Sequence, residues 1–123
     1  MTATLARFLL VGASGVLVNS ASLFVLYQVL GLPLLYASAM SVEVAIANNF
    51  VWNDRWTFQR AGRRASRFLK FNLVSLGGLA VTAATAWVLV QQADTNYLFA
   101  NLAGITLAAM CNFVANWLWT WRV

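Results

Sequence analysis

Asn49-Phe50-Val51-Trp52-Asn53-Asp54-Arg55-Trp56-Thr57 closes one long apolar run of this chain, and its pattern returns as Asn112-Phe113-Val114-Ala115-Asn116-Trp117-Leu118-Trp119-Thr120 at the end of another. The two Asn-Phe-Val triplets, Asn53 and Asn116, and the two Trp-Thr pairs coincide at a spacing of 63 residues. Leu35 and Ala37 match Leu98 and Ala100 at the same spacing. Arg7-Phe8-Leu9 recurs as Arg67-Phe68-Leu69 at a spacing of 60, so a change of three residues is assigned to the hairpin loops, which tolerate insertions. Each copy then reads as helix, short loop, helix. With two spans per copy, both copies share one orientation, a parallel repeat about an axis along the membrane normal.

Composition requires the membrane. Of 123 residues, 62% are hydrophobic and 9% charged, with a mean hydropathy of +0.73. A soluble domain carries roughly 25% charged residues to coat its surface. Four apolar runs fill most of the length, about 8–30, 34–52, 68–90 and 97–119, each long enough for a span of about 20 residues. Gly31-Leu32-Pro33 breaks the first from the second. The first run is too long for a signal-peptide core and is followed by further spans, so it is not read as a cleavable leader. No room is left for a soluble catalytic domain.

Charge sets the topology. Eight Lys and Arg stand against Glu43, Asp54 and Asp94. All the basic residues fall on one side: in the N-terminus, in the stretch between the second and third runs with Lys70 in the first turn of the third, and in the C-terminus. The positive-inside rule puts those segments in the cytoplasm, and Trp52, Trp56, Trp117, Trp119 and Trp121 gather at the same interface. Such flanking charges fit topology and anionic head groups better than nucleic acid. The sequence thus predicts an all-α membrane protein in the cytoplasmic (inner) membrane. Four transmembrane helices form two tandem parallel helical-hairpin repeats, about 7–58 and 67–121, within a single domain 1–123, both termini cytoplasmic.

Few residues carry chemistry. There is no His, and the single Cys111 lies in an apolar run as a packing residue, so a protein-only zinc site is excluded and no cofactor is expected. Asn49 and Asn53, like Asn112 and Asn116, are helix neighbours one turn apart. They read either as interhelical hydrogen bonds that hold the bundle or as polar walls for a head group. Glu43 falls about 14 Å into the second span, near the midplane, where an acid costs on the order of 2.5–3.5 kcal/mol. It reads as a protonated carboxyl bonded to a neighbouring helix, or as a proton-linked group or sugar-hydroxyl acceptor. Its counterpart is Thr106. Arg55, between Asn53 and Trp56, suits a phosphate through paired charged hydrogen bonds. Arg60, Arg63 and Arg64 read as a solvated loop near anionic lipid. Gly12, Ser14, Gly15, Ser22, Gly77 and Gly78 mark small faces for close packing. No nucleophile–base pair stands out, which argues against an enzyme.

These motifs, with Val11-Gly12 and Arg67-Phe68-Leu69-Lys70-Phe71-Asn72-Leu73-Val74-Ser75, give a chain that resembles the GtrA-like family of small four-helix membrane proteins along nearly its whole length. It is especially similar to the membrane part attached to some prokaryotic dolichol-phosphate mannose synthases. The resemblance implies translocation of a polyprenyl-phosphate-linked sugar for cell-surface polysaccharide or lipid glycosylation. Arg55 with Arg7, Arg67 or Lys70 would then hold the phosphate. Asn49, Asn53, Asn112 and Asn116 would bond sugar hydroxyls, Trp56 or Trp119 would pack on the ring, and Glu43 would extend the polar path. Partners implied are the sugar lipid, membrane lipids, a polyprenyl-phosphate glycosyltransferase and a second copy of the chain, as in a dimer. Two departures make the copies unequal: Lys70-Phe71 stands where the first copy has Leu10-Val11, and Trp117-Leu118 where it has Asp54-Arg55.

The alternative within the same biology is a non-transporting anchor that recruits a glycosyltransferase through residues 53–67. A small proton-coupled multidrug exporter also has four spans and one embedded Glu, but there the Glu lies in the first span. The topology is directly testable. Green fluorescent protein fused after residue 122 should fluoresce, and alkaline phosphatase inserted between Gln92 and Asn96 should be active; the reverse pattern would overturn the charge argument.

Overall fold

In the computed structural model, residues 1–62 and 64–122 are described, with Tyr97 described in its backbone only. The solvated-loop reading of Arg63 lies outside the described residues. Every regular element among them is helical. Helix α1 spans Thr2–Leu23 and continues as a π-helical turn over Phe24–Val29; α2 spans Leu34–Trp52 and continues as a π turn over Asn53–Thr57. Helix α3 spans Arg64–Gln92, and α4 spans Tyr97–Ala115 with a π turn over Asn116–Thr120. The four rods of 28, 24, 29 and 23 residues are apolar enough to cross a membrane. At 1.5 Å per residue each exceeds a hydrocarbon core of about 30 Å. The chain is a multi-pass membrane protein.

It divides into two units, Met1–Gly62 and Arg63–Val123. Within each, two antiparallel helices pack along their length. The burial pattern is that of a protein facing lipid. Leu10, Leu17, Leu35, Phe99 and Leu118 are all more than 60% exposed, while Ser41, Asn53, Thr57, Asn116 and Thr120 are buried. In water such a distribution would be unstable; in hydrocarbon the polar groups must turn inward to find partners.

At the hairpin turns and at the basic ends the backbone of the second unit matches that of the first at a spacing of 63, although the π turn over Phe24–Val29 has no counterpart in α3. Gly31 (φ 70°) and Asp94 (φ 54°) are left-handed at the hairpin turns, and Gln59 (φ 51°) and Arg122 (φ 48°) after the π turns. The hairpins close through the same bond, Leu32 N–H to Leu26 O and Thr95 N–H to Leu89 O, both 3.0 Å. Each runs to the carbonyl six residues back, one residue wider than the six-to-one bond of a Schellman C-cap. The expected three-residue change in the hairpins therefore does not occur. Arg7-Phe8 corresponds to Lys70-Phe71, not to Arg67-Phe68. Phe8 meets Phe58 edge-on at 6.4 Å, as Phe71 meets Trp121 at 5.5 Å. Arg67 lies three residues before Lys70, almost one turn, and so on nearly the same face of α3. That face similarity is why the Arg-Phe-Leu triplet gives a false register.

The helices of each unit meet closely at one residue. A Cβ on Gly15 would overlap the Asn49 side chain, and one on Gly78 would overlap that of Asn112. Towards the other end of the second unit, a Cβ on Gly104 would lie 2.7 Å from Thr82 O. Ala37 and Ala100, both 0% exposed, line the same seams. Gly12 has nothing within 4 Å of its Cβ direction. Gly15→Leu or Gly78→Leu should therefore destabilise by about 1–3 kcal/mol through overpacking, read as a lowered melting temperature in detergent. Gly12→Ala should be neutral or slightly stabilising in the same measurement.

Candidate functional site

In the first unit an open groove of about 580 Å³ runs between α1 and α2, lined by Leu10, Val11, Ser14, Asn48, Trp52, Arg55 and Trp56. Positions 10, 11 and 14 share one face of α1, and 48, 52, 55 and 56 share one face of α2 and its π turn. Its volume falls within the roughly 300–1,000 Å³ of small-molecule sites. The walls are apolar or aromatic, with polar atoms from Ser14, Asn48 and Arg55.

The π turn aims the aromatic and cationic end. Phe58 N–H bonds to Asn53 O at 2.8 Å, five residues back, which widens the helix here. Thr57 donates its hydroxyl to Asn53 Oδ1 at 2.7 Å inside the turn. The Trp56 carbonyl, left without a helical donor, accepts from Arg7 Nη1 and Gln59 Nε2, both at 3.3 Å. The Arg7 guanidinium also lies 5.4 Å from the centre of the Trp56 ring. This cation–π contact ties the first helix to the π turn at the basic end.

Farther along the groove, Ser14 donates to Val11 O at 2.6 Å and accepts from Asn48 Nδ2 at 3.2 Å. Asn48 Nδ2 donates as well to Asn49 Oδ1 at 3.3 Å. Ser14 and Asn48 are half-buried, and Arg55 is exposed.

The second unit has the same frame with different chemistry. Trp121 N–H bonds to Asn116 O at 2.9 Å, Thr120 donates to Asn116 Oδ1 at 2.6 Å, and Lys70 Nζ lies 5.6 Å from the Trp119 ring centre. But Gly77, Cys111 and Leu118 stand where the first unit has Ser14, Asn48 and Arg55. The polar groove chemistry belongs to the first unit.

The residues expected from sequence are distributed unevenly. Arg7, Arg55 and Trp56 come together at the basic end of the first unit, and Lys70 and Trp119 pair in the second. Asn53 (2% exposed) and Asn116 (0%) are closed inside their π turns with their carbonyl oxygens occupied by Thr. Asn49 and Asn112 pack onto Gly15 and Gly78. None of these four amides lines the groove: Asn49 and Asn112 lie at the contact between helices, whereas Asn53 and Asn116 bond within their own turns. Glu43 is exposed on α2 and does not line the groove: it lies five residues from Asn48, about 140° around the helix. Arg67 is half-buried one turn before Lys70.

Three groove residues are missing from the sequence expectation: Asn48, Trp52 and, as a polar group, Ser14. The signal was present in Asn48. It breaks the repeat, since Cys111 is its counterpart, and it shares a helix face with Trp52 and Arg55 at spacings of four and seven. Asp54, only 1% exposed and engaged in a polar or charged contact, is a second interior residue that the first unit alone carries.

Comparison with known proteins fits this frame. A family model for the transmembrane domain of GtrA/DPMS proteins matches residues 7–121. The chain is 43% identical over 117 residues to a dolichol-phosphate mannosyltransferase of Pyrococcus furiosus, covering 94% of this chain and 33% of that protein. It is 31% identical over 120 residues to the uncharacterized membrane protein YngA of Bacillus subtilis, covering 94% of this chain and 78% of that one. The chain thus spans about a third of the length of the archaeal mannosyltransferase it matches. A match extending from the Arg7 clamp to Trp121 embraces both helix pairs and the π turns at Asn53–Thr57 and Asn116–Thr120, and the chain belongs to the GtrA/DPMS transmembrane-domain family.

Proposed function

We propose that the protein moves a polyprenyl-phosphate-linked sugar across the cytoplasmic membrane, with the groove of the first unit taking the head group. The basic end, with both termini, is then the cytoplasmic end. The observation that carries this reading is Arg55 with Trp52 and Trp56 at one end of an open groove whose other wall is apolar. A phosphate entering hydrocarbon unaided meets a desolvation penalty of several kcal/mol or more. Arg55 offsets part of it with charge-assisted hydrogen bonds that a planar guanidinium makes in pairs. The indole faces suit a sugar ring, and the polyprenyl tail stays in lipid alongside Leu10 and Val11. Membership in a family linked to polyprenyl-phosphate sugar pathways supports the substrate class. We read the chain as a carrier; the transferase activity named for the archaeal relative is that of a protein three times as long.

That same length relation favours a second reading, in which the chain anchors or recruits a glycosyltransferase at the membrane. The two differ in whether Arg55 matters to lipid movement. In liposomes carrying a labelled polyprenyl-phosphate sugar, Arg55→Leu, which installs the residue found at position 118, should slow translocation at least tenfold. Glu43→Gln, outside the groove, should change it less than threefold. Wild-type protein that moves no more lipid than empty liposomes, yet retains a glycosyltransferase on purification, would decide for the anchor.

A further inference from the structure

Resting on the carrier reading, we infer that Asn48 is the sugar-selecting residue, its side-chain carbonyl receiving a hydroxyl of the head group while Arg55 takes the phosphate. The hydrogen bonds fix which way the amide faces. Ser14 spends its only proton on Val11 O at 2.6 Å, so towards Asn48 it can only accept. Asn48 must therefore present its amino group to Ser14, as it does at 3.2 Å, and that same group donates to Asn49 Oδ1 at 3.3 Å. Flipping the amide would place two acceptors against each other at both contacts. Both amino hydrogens are thus spent, and Asn48 Oδ1 is the polar atom left over. Among the described residues nothing donates to it.

An amide oxygen held in this way within a membrane span is costly unless a donor arrives. The phosphodiester of a sugar-linked lipid has no proton to give at neutral pH and would be repelled; a sugar hydroxyl is a donor. Asn48 lies seven residues before Arg55, about 10 Å along the helix, so an anion subsite and a hydroxyl subsite stand at opposite ends of one groove, with Trp52 between them. The ligand that meets both is a lipid with an anionic phosphate and a hydroxylated head. Because Gly77, Cys111 and Leu118 replace Ser14, Asn48 and Arg55, the second unit lacks both subsites, and each chain takes one such lipid.

The second unit also supplies the variants. Ser14→Gly combined with Asn48→Cys, and Arg55→Leu, copy residues with which the same helix pair already packs. The affinities of dolichyl-phosphate mannose and of bare dolichyl phosphate, measured by native mass spectrometry on the full chain in nanodiscs, separate the roles. Wild type should bind the mannosyl lipid at least fivefold tighter than the bare phosphate, with one lipid per chain. The double variant should bring that ratio to about one by weakening the mannosyl lipid alone, and Arg55→Leu should weaken both lipids about tenfold. Equal wild-type affinities, or a ratio that survives in the double variant, would overturn the assignment to Asn48 while leaving the carrier reading standing. Binding of neither lipid by wild type would overturn the carrier reading and this assignment with it.

Discussion

The closest contact in each helix pair is an amide laid on a glycine: Asn49 on Gly15 and Asn112 on Gly78. In lipid there is no hydrophobic drive to bring two apolar helices together, so association depends on close packing and on polar groups that find partners. A glycine lets the backbone of α1 or α3 come within reach of an amide on α2 or α4. The amide in turn prefers that contact to hydrocarbon. Everything beyond it in the first unit follows from this approach. Ser14, one residue before Gly15, is brought beside Asn48, one residue before Asn49, and the groove opens on the flank of the contact.

The π turns are the second constraint. Inserting one wide turn lets Asn53 fold under its own Thr57 and moves the Trp56 carbonyl to where Arg7 can cap it. Arg7 then stacks on the ring of the same residue. One arginine on α1 thereby fixes both the carbonyl and the indole of Trp56, and so the aromatic end of the groove. Lys70 keeps the ring contact with Trp119 in the second unit. Lysine lacks the guanidinium fork, so it makes the cation–π contact as a point charge.

Four spans were legible in the sequence because they rest on long apolar runs, though three of the four helices extend four or more residues past an expected end. Three features were not. The register of the odd helices was misread because Arg67-Phe68-Leu69 copies the letters of Arg7-Phe8-Leu9, whereas the contacts are made by Lys70-Phe71; identity of sequence and equivalence of position parted by almost one turn. The π turns left no mark that hydropathy could detect, since Asn53-Asp54-Arg55 reads as the start of a loop. The burial of Asn53 and Asn116 was hidden for the same reason. A polar residue near a span end reads equally as a wall of an open path or as a bolt between helices. The Thr four residues later, in reach of the Asn oxygen on the same helix, decides for neither and closes the Asn inside its own turn. The groove itself needed Asn48, which the sequence marks by contrast: Asn49 is duplicated and its neighbour is not.

That contrast has a physical consequence for how such a duplicated scaffold acquires a site. The residues that hold a helix pair together must be kept in both copies, because losing any of them costs the pair its packing or its buried hydrogen bond. Glycine, the packing Asn, the Asn–Thr bond and the cation over Trp are all present twice. Groups on the flank of the contact are under no such constraint. Exchanging Ser14, Asn48 and Arg55 for Gly77, Cys111 and Leu118 removes polar atoms from hydrocarbon and costs the second pair none of its shared contacts. In the first copy Asn48 and Ser14 also bond across the helix pair, so on that flank they join α1 to α2 as well as lining the groove, and the second pair packs without that bond. Under the carrier reading proposed above, the lopsided groove, more than the symmetric frame, is where the activity of this chain would be written.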